Sequence, residues 1–274
     1  MAHRNSVATV TRRRLLAMGA ALGVAAPSGG LPLSLAAGRP GGAAGPLLRP
    51  PRLQPGDLIG LINPATARPE IIPTEIMAES IEALGLRTRR GANYYARWGS
   101  LAGTDEQRLA DIHAFFADPQ VRGIWATGGW GSARLLPLLD YELIRSNPKV
   151  LVGYSDSTAL LNGIHGMTGL VTFHGPFPRS RRSAAYQRRL LLEGRELALR
   201  NPQEIADNET VVTAHRIRTI TPGRARGPLL GGNLTVLSAI IGSPYLPSFD
   251  GAILFLEDVN EALYRVDRML TQLR

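Results

Sequence analysis

The apolar positions of this chain fall into short runs that alternate with stretches of helical spacing. The runs within 56–65, 121–126 and 149–153 are bounded by turn residues, a pattern typical of buried strands. Each run leads through a loop into a segment whose apolar residues recur every three or four positions. Repeated alternation of strand and helix over about 110 residues predicts an α/β domain with a largely parallel sheet. A further run, 171–176, predicts a fourth strand.

Capping residues mark the limits of the first two predicted helices. Thr104 and Gln107 have the spacing of a capping box and predict that the second helix begins there. Gly85 stands where a glycine commonly ends a helix, so the first helix is predicted over 71–84. A third helical pattern covers 135–139. The apolar positions of the first two helices, which we expect to be buried, are Ile72, Ile76, Ile81, Leu84, Leu109, Ile112, Phe115 and Phe116.

The pattern of residue types changes beyond residue 180. An Arg-rich stretch, 179–200, has helical propensity and predicts a connecting segment. The pieces that follow are β-rich or open a helix, and they cover 210–212, 217–220, 231–235 and 251–256. These features predict an N-terminal α/β domain over 53–180, of the flavodoxin or amidotransferase-like kind, and a smaller, incomplete C-terminal α/β domain over 205–274.

The first 45 residues are predicted to lie outside the fold. Three arginines at 12–14 precede an apolar run over 17–26, which is the layout of a secretory signal. Arginines ahead of Leu-Leu resemble a twin-arginine signal, and the run is too short to form a stable membrane anchor. We therefore expect 1–45 to be signal and linker, and the mature protein to be exported to the periplasm. The alternatives are an Arg-rich N-terminus that is not a signal, or a start codon assigned too early, in which case the protein is cytoplasmic.

Composition narrows the possible chemistry. The 274 residues include no cysteine, which excludes thiol catalysis, disulfides and cysteine-ligated zinc. The formal net charge is +9, but the arginines are scattered and Lys149 is the single lysine, so we expect no nucleic-acid partner. The sequence shows no cluster of metal ligands and no nucleotide fingerprint, so we expect neither a metal nor another cofactor.

The most informative stretch is 149–161, where an apolar run ends in Gly153 and Ser155 follows just before a predicted helix. A sharp strand-to-helix turn around a serine is the geometry of a nucleophile elbow, which exposes the hydroxyl in front of free helix N–H groups. Ser157 stands where the usual pattern has a second glycine. The alternative is that Ser155 or Asp156 simply caps the helix.

A glycine-rich turn, 127–132, follows the second predicted strand. Strand, glycine turn and helix form the layout of a ligand-binding loop at the carboxyl edge of a parallel sheet. The turn is not a dinucleotide or P-loop motif, so we expect its backbone N–H groups to bind a carboxylate or an oxyanion. The alternative is that the glycines only permit a tight turn.

Several stretches taken in order resemble one family, the LD-carboxypeptidases, which are serine peptidases that remove the terminal D-residue from peptidoglycan tetrapeptides. The stretches span most of 53–274 and are Pro55-Gly56-Asp57, Ala102-Gly103-Thr104-Asp105, Gly128-Gly129-Trp130-Gly131, Gly153-Tyr154-Ser155-Asp156, His174-Gly175-Pro176, Gly231-Gly232-Asn233-Leu234, Leu256-Glu257-Asp258-Val259 and Tyr264-Arg265-Val266-Asp267-Arg268.

The resemblance implies a Ser-His-Glu triad in which Ser155 is the nucleophile and Glu257 orients the histidine. It places the oxyanion donors at the backbone N–H groups of Asp156 and of the Gly128–Gly129 turn. It also implies a murein tetrapeptide substrate, release of D-alanine, no metal and a homodimer. From the residues alone, Glu257 ends an apolar strand, where an acid emerges at a sheet edge; a simple capping role is the alternative.

The sequence departs from the family pattern at two places. Thr127 stands where the family has arginine, and Trp130 replaces a tyrosine. The family's catalytic histidine follows the motif that ends at Arg268, and no histidine follows it in these 274 residues. His174 belongs to a family motif but not to the triad, and the remaining histidines, His3, His113, His165 and His215, match nothing catalytic. We therefore expect a truncated copy with little or no peptidase activity.

Two further functions remain open at this stage. A related branch of the superfamily hydrolyses peptidyl-nucleotide antibiotics and confers self-immunity, which requires an aromatic residue to stack on the base. The chain is alternatively a non-catalytic binder of cell-wall peptides that uses the loop 128–131 to hold a carboxylate.

Overall fold

The computed structural model describes residues 47–274 except 204, 206, 207 and 214. All of them belong to one compact unit, Gly38–Arg274. The predicted signal and linker, 1–45, lie outside the described residues.

A five-stranded parallel sheet forms the centre of the fold, with strand order β2-β1-β3-β4-β5. The strands are β1 (Leu58–Ile62), β2 (Arg87–Arg90), β3 (Val121–Ala126), β4 (Val150–Gly153) and β5 (Phe173–His174). A two-stranded parallel sheet, β6 (Leu229–Asn233) and β7 (Ile253–Glu257), lies in the C-terminal part. The predicted α/β class, with a parallel N-terminal sheet and a smaller C-terminal unit, is confirmed.

Helices cover both faces of the central sheet. They are α1 (Ile71–Glu82), α2 (Asp105–Ala117), α3 (Tyr141–Ser146), α4 (Thr158–Thr168) and, further along, α5 (Arg181–Gln187), α6 (Leu234–Ile240) and α7 (Leu263–Leu273). Side chains of β4 alternate between the two cores: Leu151 packs with α2 and α4, and Val150 and Val152 pack with α1. This alternation is the two-residue period of a strand that is buried on both faces.

The first two helices follow their predicted limits closely. Thr104 caps α2 in a capping box with Gln107, and the four predicted apolar positions of α2 are buried. Gly85 adopts a left-handed backbone with φ of 89° just beyond α1. The predicted inner face of α1 is wrong in part, because Ile72 and Ile76 are 69% and 44% exposed. Its buried positions are Thr74, Met77, Ala78 and Ile81, a face rotated from the one that the isoleucines indicate.

Two sequence predictions fail in the connecting regions. The third helical pattern forms a 3₁₀ helix, Ser132–Leu138, which contains Pro137. The predicted strands at 210–212 and 217–220 do not form among the described residues. Val211, Ile217 and Ile220 are all more than half exposed. Short β-branched runs have strand propensity, but they need a neighbouring strand and a surface to cover, and neither is present beside these runs.

Polar contacts with α4 attach the C-terminal sheet to the rest of the fold. Thr158 Oγ1 accepts a hydrogen bond from the backbone N–H of Asn233 at 3.0 Å, and Asn162 Nδ2 donates to the carbonyl of Gly231 at 3.0 Å. The close approach requires glycine: a methyl group built on Gly232, at φ of 140°, would lie 2.5 Å from Thr158 Oγ1. Among the described residues, no helix has the length and apolar character needed to cross a bilayer.

Candidate active site

Ser155 lies at a sharp turn between β4 and α4. Its backbone is left-handed, with φ of 56°, and residues Ser155–Ser157 form a single 3₁₀ turn that leads into α4. A left-handed non-glycine residue is uncommon, and such backbone strain concentrates at functional sites. Gly153 makes the turn possible, because a methyl group there would lie 2.6 Å from the Cβ of Ser157. Ser155 itself remains partly exposed, whereas Asp156 and Ser157 are buried.

The glycine-rich turn after β3 lies directly beside this serine. A methyl group built on Gly128 would approach the Cβ of Ser155 at 3.3 Å and its Oγ at 3.8 Å. Gly129 has φ of 148° and lies against Thr66, whose Oγ1 would be 2.1 Å from an added Cβ. Among the described residues, the amides of Gly128 and Gly129 donate no hydrogen bond to a protein acceptor. Two backbone donors are therefore unused next to the serine hydroxyl.

Hydrogen bonds hold the start of this turn from three sides. Thr127 donates its hydroxyl to Asn63 Oδ1 at 2.6 Å, and the carbonyl of Thr127 accepts from Ser157 Oγ at 3.1 Å. Arg68 donates to the carbonyl of Gly128 at 2.8 Å. Thr127, the first departure from the family pattern, is thus a buried structural residue. Trp130, the second departure, is 60% exposed on the same turn.

Asp156 contributes more to the site than a backbone amide. Its carboxylate accepts hydrogen bonds from the N–H groups of Gly131 at 3.2 Å and Ser132 at 2.9 Å. The serine hydroxyl of Ser132 donates to the carbonyl of Asp156 at 2.8 Å. Sequence analysis identified the backbone of Asp156 but not this role of its side chain, which only the fold reveals.

Glu257 is the last residue of β7 and lies opposite Asn233 in the register of the two-stranded sheet. Its side chain is 34% exposed, but its Oε1 is buried and has no hydrogen-bond partner among the described residues. Because Asn233 is bonded to Thr158, Glu257 is connected to the helix that begins directly after the serine turn. The fold thus connects Ser155 and Glu257, which are far apart in sequence.

Among the described histidines, His174 approaches this acid. The sequence had placed it outside the triad. It lies on β5 opposite Gly153, and its Nε2 is 3.9 Å from Oε1 of Glu257. Its ring packs edge-on against Phe255, with the ring centres 5.2 Å apart. Burial lowers the pKa of His174 to about 4, so the imidazole is neutral at pH 7 and the contact is not an ion pair. The separation is also too long for a hydrogen bond.

The described residues hold no group of three His, Asp or Glu side chains with the arrangement of a metal site. They instead place a strained serine beside two unused backbone amides, and a carboxylate beside an imidazole. A parallel α/β sheet with a serine at a strand-to-helix turn is an architecture used by hydrolases with a serine nucleophile.

Comparison with known proteins identifies the family. The LD-carboxypeptidase N-terminal domain matches residues 59–175, and the LD-carboxypeptidase C-terminal domain matches 226–274. The chain therefore belongs to the LD-carboxypeptidase family. The serine turn, the glycine turn and His174 fall within the first matched region, and Glu257 falls within the second.

Curated relatives carry murein-related names. A probable murein peptide carboxypeptidase of Bacillus subtilis is 38% identical over 231 residues, covering 82% of this chain and 70% of the relative. A murein tetrapeptide carboxypeptidase of Pseudomonas aeruginosa is 34% identical over 229 residues, covering 78% and 70%.

Solved structures resemble the fold as well. A MccF-like protein from Bacillus anthracis has a TM-score of 0.72 at 30% identity and covers 82% of this chain and 75% of its own. The microcin C7 self-immunity protein MccF in complex with aspartyl sulfamoyl adenosine has a TM-score of 0.69 at 29% identity, covering 83% and 76%.

Proposed function

We propose that this protein is a serine-type LD-carboxypeptidase that cleaves the L,D peptide bond of murein tetrapeptides and releases D-alanine. The observation that carries the proposal is the left-handed Ser155, whose side chain lies beside the unused amides of the Gly128–Gly129 turn. The names of the relatives from Bacillus subtilis and Pseudomonas aeruginosa support a murein peptide as the substrate.

In the proposed reaction, Ser155 Oγ forms a bond with the carbonyl carbon that precedes the terminal D-residue. The carbonyl π electrons move to oxygen, and the amides of Gly128, Gly129 and Asp156 stabilise the oxyanion. The C–N bond then breaks, D-alanine leaves with a proton on its amine, and the peptide remains as an ester of Ser155. Water attacks the ester, which releases the shortened peptide and restores the hydroxyl.

Glu257 acts in this scheme by holding the imidazole that receives the hydroxyl proton. Its buried Oε1 has no other described partner, and an ionised carboxylate favours the tautomer and the orientation that a general base needs. Among the described residues, the imidazole of His174 contacts this oxygen, with its Nε2 at 3.9 Å. A shift of about 1 Å would bring its Nε2 into hydrogen-bond range of the acid.

The experiment is an assay of the purified protein with a disaccharide tetrapeptide, in which free D-alanine is measured. The sequence alone predicts little or no activity, because no histidine follows Arg268 within the 274 residues. The contact of His174 with Glu257 favours the opposite outcome, so we expect release by the wild type and a loss of at least about 10⁴-fold in Ser155→Ala. Saturable binding without D-alanine release would overturn the catalytic proposal and favour a peptide binder. Activity that persists in Ser155→Ala would overturn the nucleophile.

A second variant, His174→Gln, identifies the base. If His174 receives the proton, kcat falls about as far as in Ser155→Ala, because the two residues then act as one unit. If kcat stays within about tenfold of wild type, the imidazole held by Glu257 is another histidine and His174 only packs beside the acid.

A second candidate function is hydrolysis of a peptidyl-nucleotide antibiotic, the activity of the related self-immunity branch named above; one relative is called the microcin C7 self-immunity protein MccF. The observation that favours it is Trp130, whose indole is 60% exposed on the loop next to Ser155 and offers a flat face for a base. Aspartyl sulfamoyl adenosine, which is bound in a MccF structure, is the test compound. Cleavage of this compound at a higher kcat/KM than the tetrapeptide would replace the murein assignment.

A further inference from the structure

The carboxylate of Asp156 has no role in the proposed reaction, which uses only the backbone amide of this residue. It follows the nucleophile directly and is 5% exposed, and burying a carboxylate is unfavourable unless hydrogen bonds compensate it. An acid at the start of a helix commonly caps that helix. Asp156 does not, because no side-chain cap is present at the start of either the 3₁₀ turn or α4.

Both hydrogen bonds of this carboxylate instead cross to the glycine turn. Oδ1 accepts from Gly131 N at 3.2 Å, and Oδ2 accepts from Ser132 N at 2.9 Å. A third bond, from Ser132 Oγ to the carbonyl of Asp156, runs in the opposite sense at 2.8 Å. The residue after the nucleophile is thus joined to the glycine turn through each of its polar groups except its amide.

The opposite side of Gly131 is also fixed. Arg108, which is 2% exposed, donates through Nη1 to the carbonyl of Gly131 at 3.2 Å and to the carbonyl of Pro64 at 2.6 Å. Asp105 forms an ion pair with the same guanidinium. Gly131 is therefore held by a buried cation at its carbonyl and by a buried anion at its amide.

We infer that the Asp156 carboxylate is a positioning group that sets the distance between Ser155 Oγ and the amides of Gly128 and Gly129. The inference rests on the proposed function and adds a residue to it. Ser155 is covalently adjacent to Asp156, and Gly128 lies on the turn that the carboxylate holds, so the two halves of the oxyanion site share one rigid connection. Oxyanion donors act only when they are already in place, because their benefit lies in needing no reorganisation during the reaction.

The test variant is Asp156→Asn, which keeps the shape of the side chain but presents an NH₂ group to one of the two N–H donors. We expect kcat on the disaccharide tetrapeptide to fall by about 10- to 1000-fold with KM within about threefold, since removal of one oxyanion donor costs a comparable factor. The rate at which a fluorophosphonate labels Ser155 should fall by a similar factor.

Asp111→Asn is the matched control. Asp111 is 4% exposed and also accepts hydrogen bonds from a backbone N–H, that of Asn93 at 3.1 Å, but it lies on α2 away from the serine turn. We expect a similar decrease in thermal stability in both variants and a decrease in kcat only in Asp156→Asn. Equal kcat in the two variants would overturn the inference and leave Asp156 as a structural residue.

If Asp156→Asn does not fold, Gly131→Ala replaces it, because a side chain at φ of 102° displaces the amide that Asp156 binds. A folded Gly131→Ala variant with wild-type kcat and labelling rate would overturn the inference. If the wild type releases no D-alanine, the proposed function fails, and slower fluorophosphonate labelling of Asp156→Asn than of Asp111→Asn still supports the positioning role.

Discussion

The two halves of the proposed active site are built in different ways. Around Ser155 the chain is densely packed, and Gly153, Asp156, Ser157 and Thr158 are all buried. Around Glu257 it is open: Ile253, Leu254 and Leu256 on β7 are each more than one third exposed, and no residue of α7 is buried. The nucleophile is therefore fixed by close packing, whereas the acid lies on a lightly packed strand. Its sheet is held to the rest of the fold by the polar contacts of β6 with α4 and by α6, whose Ile240 is buried in the core.

Dense packing and chemical importance are therefore separate properties of this site. The turn at Ser155 stores backbone strain, which persists only where the surrounding structure enforces it. A carboxylate that orients an imidazole needs one correct direction and no strained backbone, so a lightly packed strand suffices. Substitutions in the densely packed region should consequently lower stability more than substitutions on β7. A substitution of Glu257 should instead lower activity with little change in stability.

The largest effect is expected from Glu257→Gln. We expect kcat to fall by about 10³- to 10⁴-fold, because an amide cannot hold an imidazole in the tautomer that accepts the serine proton. The midpoint of urea unfolding should stay unchanged, since the side chain is one third exposed and its Oε1 makes no hydrogen bond. D-alanine release and urea titration on the same preparation measure both quantities. A kcat within tenfold of wild type would remove Glu257 from the mechanism.

The paired variants Leu151→Ala and Leu254→Ala test the difference in packing directly. Leu151 is 1% exposed on a central strand, so its truncation should cost about 2–5 kcal/mol through lost burial and a residual cavity. Leu254 is 38% exposed on β7, and its truncation should cost about 1 kcal/mol or less. Equilibrium urea unfolding gives both values. Similar losses would show that the C-terminal sheet is packed as tightly as the central one.

Sequence analysis captured the densely packed half better than the open half. The strands at β1, β3 and β4, the Thr104 capping box and the serine turn all follow from local signals, namely apolar runs, a cap residue and a glycine. Strand β2 was missed, because the sequence Arg-Thr-Arg-Arg has no apolar pattern and becomes a strand only by pairing with β1. The failed strands at 210–212 and 217–220 are the converse case, in which propensity had no partner.

The same limit applies to the candidate site. Ser155 and the Gly128–Gly129 turn each carry a local pattern, but the contact of His174 with Glu257 joins residues on strands from two different sheets. The side-chain role of Asp156 also depends on a neighbouring turn. Contacts of this kind arise from topology, and no periodicity along the chain encodes them.

The pH dependence of stability tests the junction of the two regions, where His174 lies beside Glu257. His174 is 17% exposed, and burial lowers its pKa to about 4 in the folded protein, against about 6.5 in the unfolded chain. Between these values the unfolded chain binds more protons, so stability rises with pH across the window and is lost as pH falls from 6.5 to 4. The full loss from this group is about 3 kcal/mol.

The variant His174→Gln isolates this contribution. Wild type and variant should differ in unfolding free energy by an amount that changes by about 3 kcal/mol between pH 6.5 and pH 4, in favour of the variant at low pH. Urea titrations at half-unit steps measure the difference and cancel the titration of groups common to both. A difference that is constant with pH would show that His174 is solvated and that the junction is open.

The smallest expected effect concerns the contact that joins the two regions, and Thr158→Val removes it while keeping the side-chain volume. The buried N–H of Asn233 then loses the acceptor that it reaches at 3.0 Å, which should cost about 1–2 kcal/mol. Because Glu257 lies opposite Asn233 in the sheet register, a shift of β6 also moves the acid, and kcat should fall about tenfold. Thr158→Ser, which keeps the hydroxyl, is the control and should retain wild-type kcat. Equal kcat in the two variants would mean that the position of Glu257 is independent of this hydrogen bond. The open half of the site would then be fixed by the pairing of β6 with β7, by the bond from Asn162 to Gly231 and by the packing of α6 on the core.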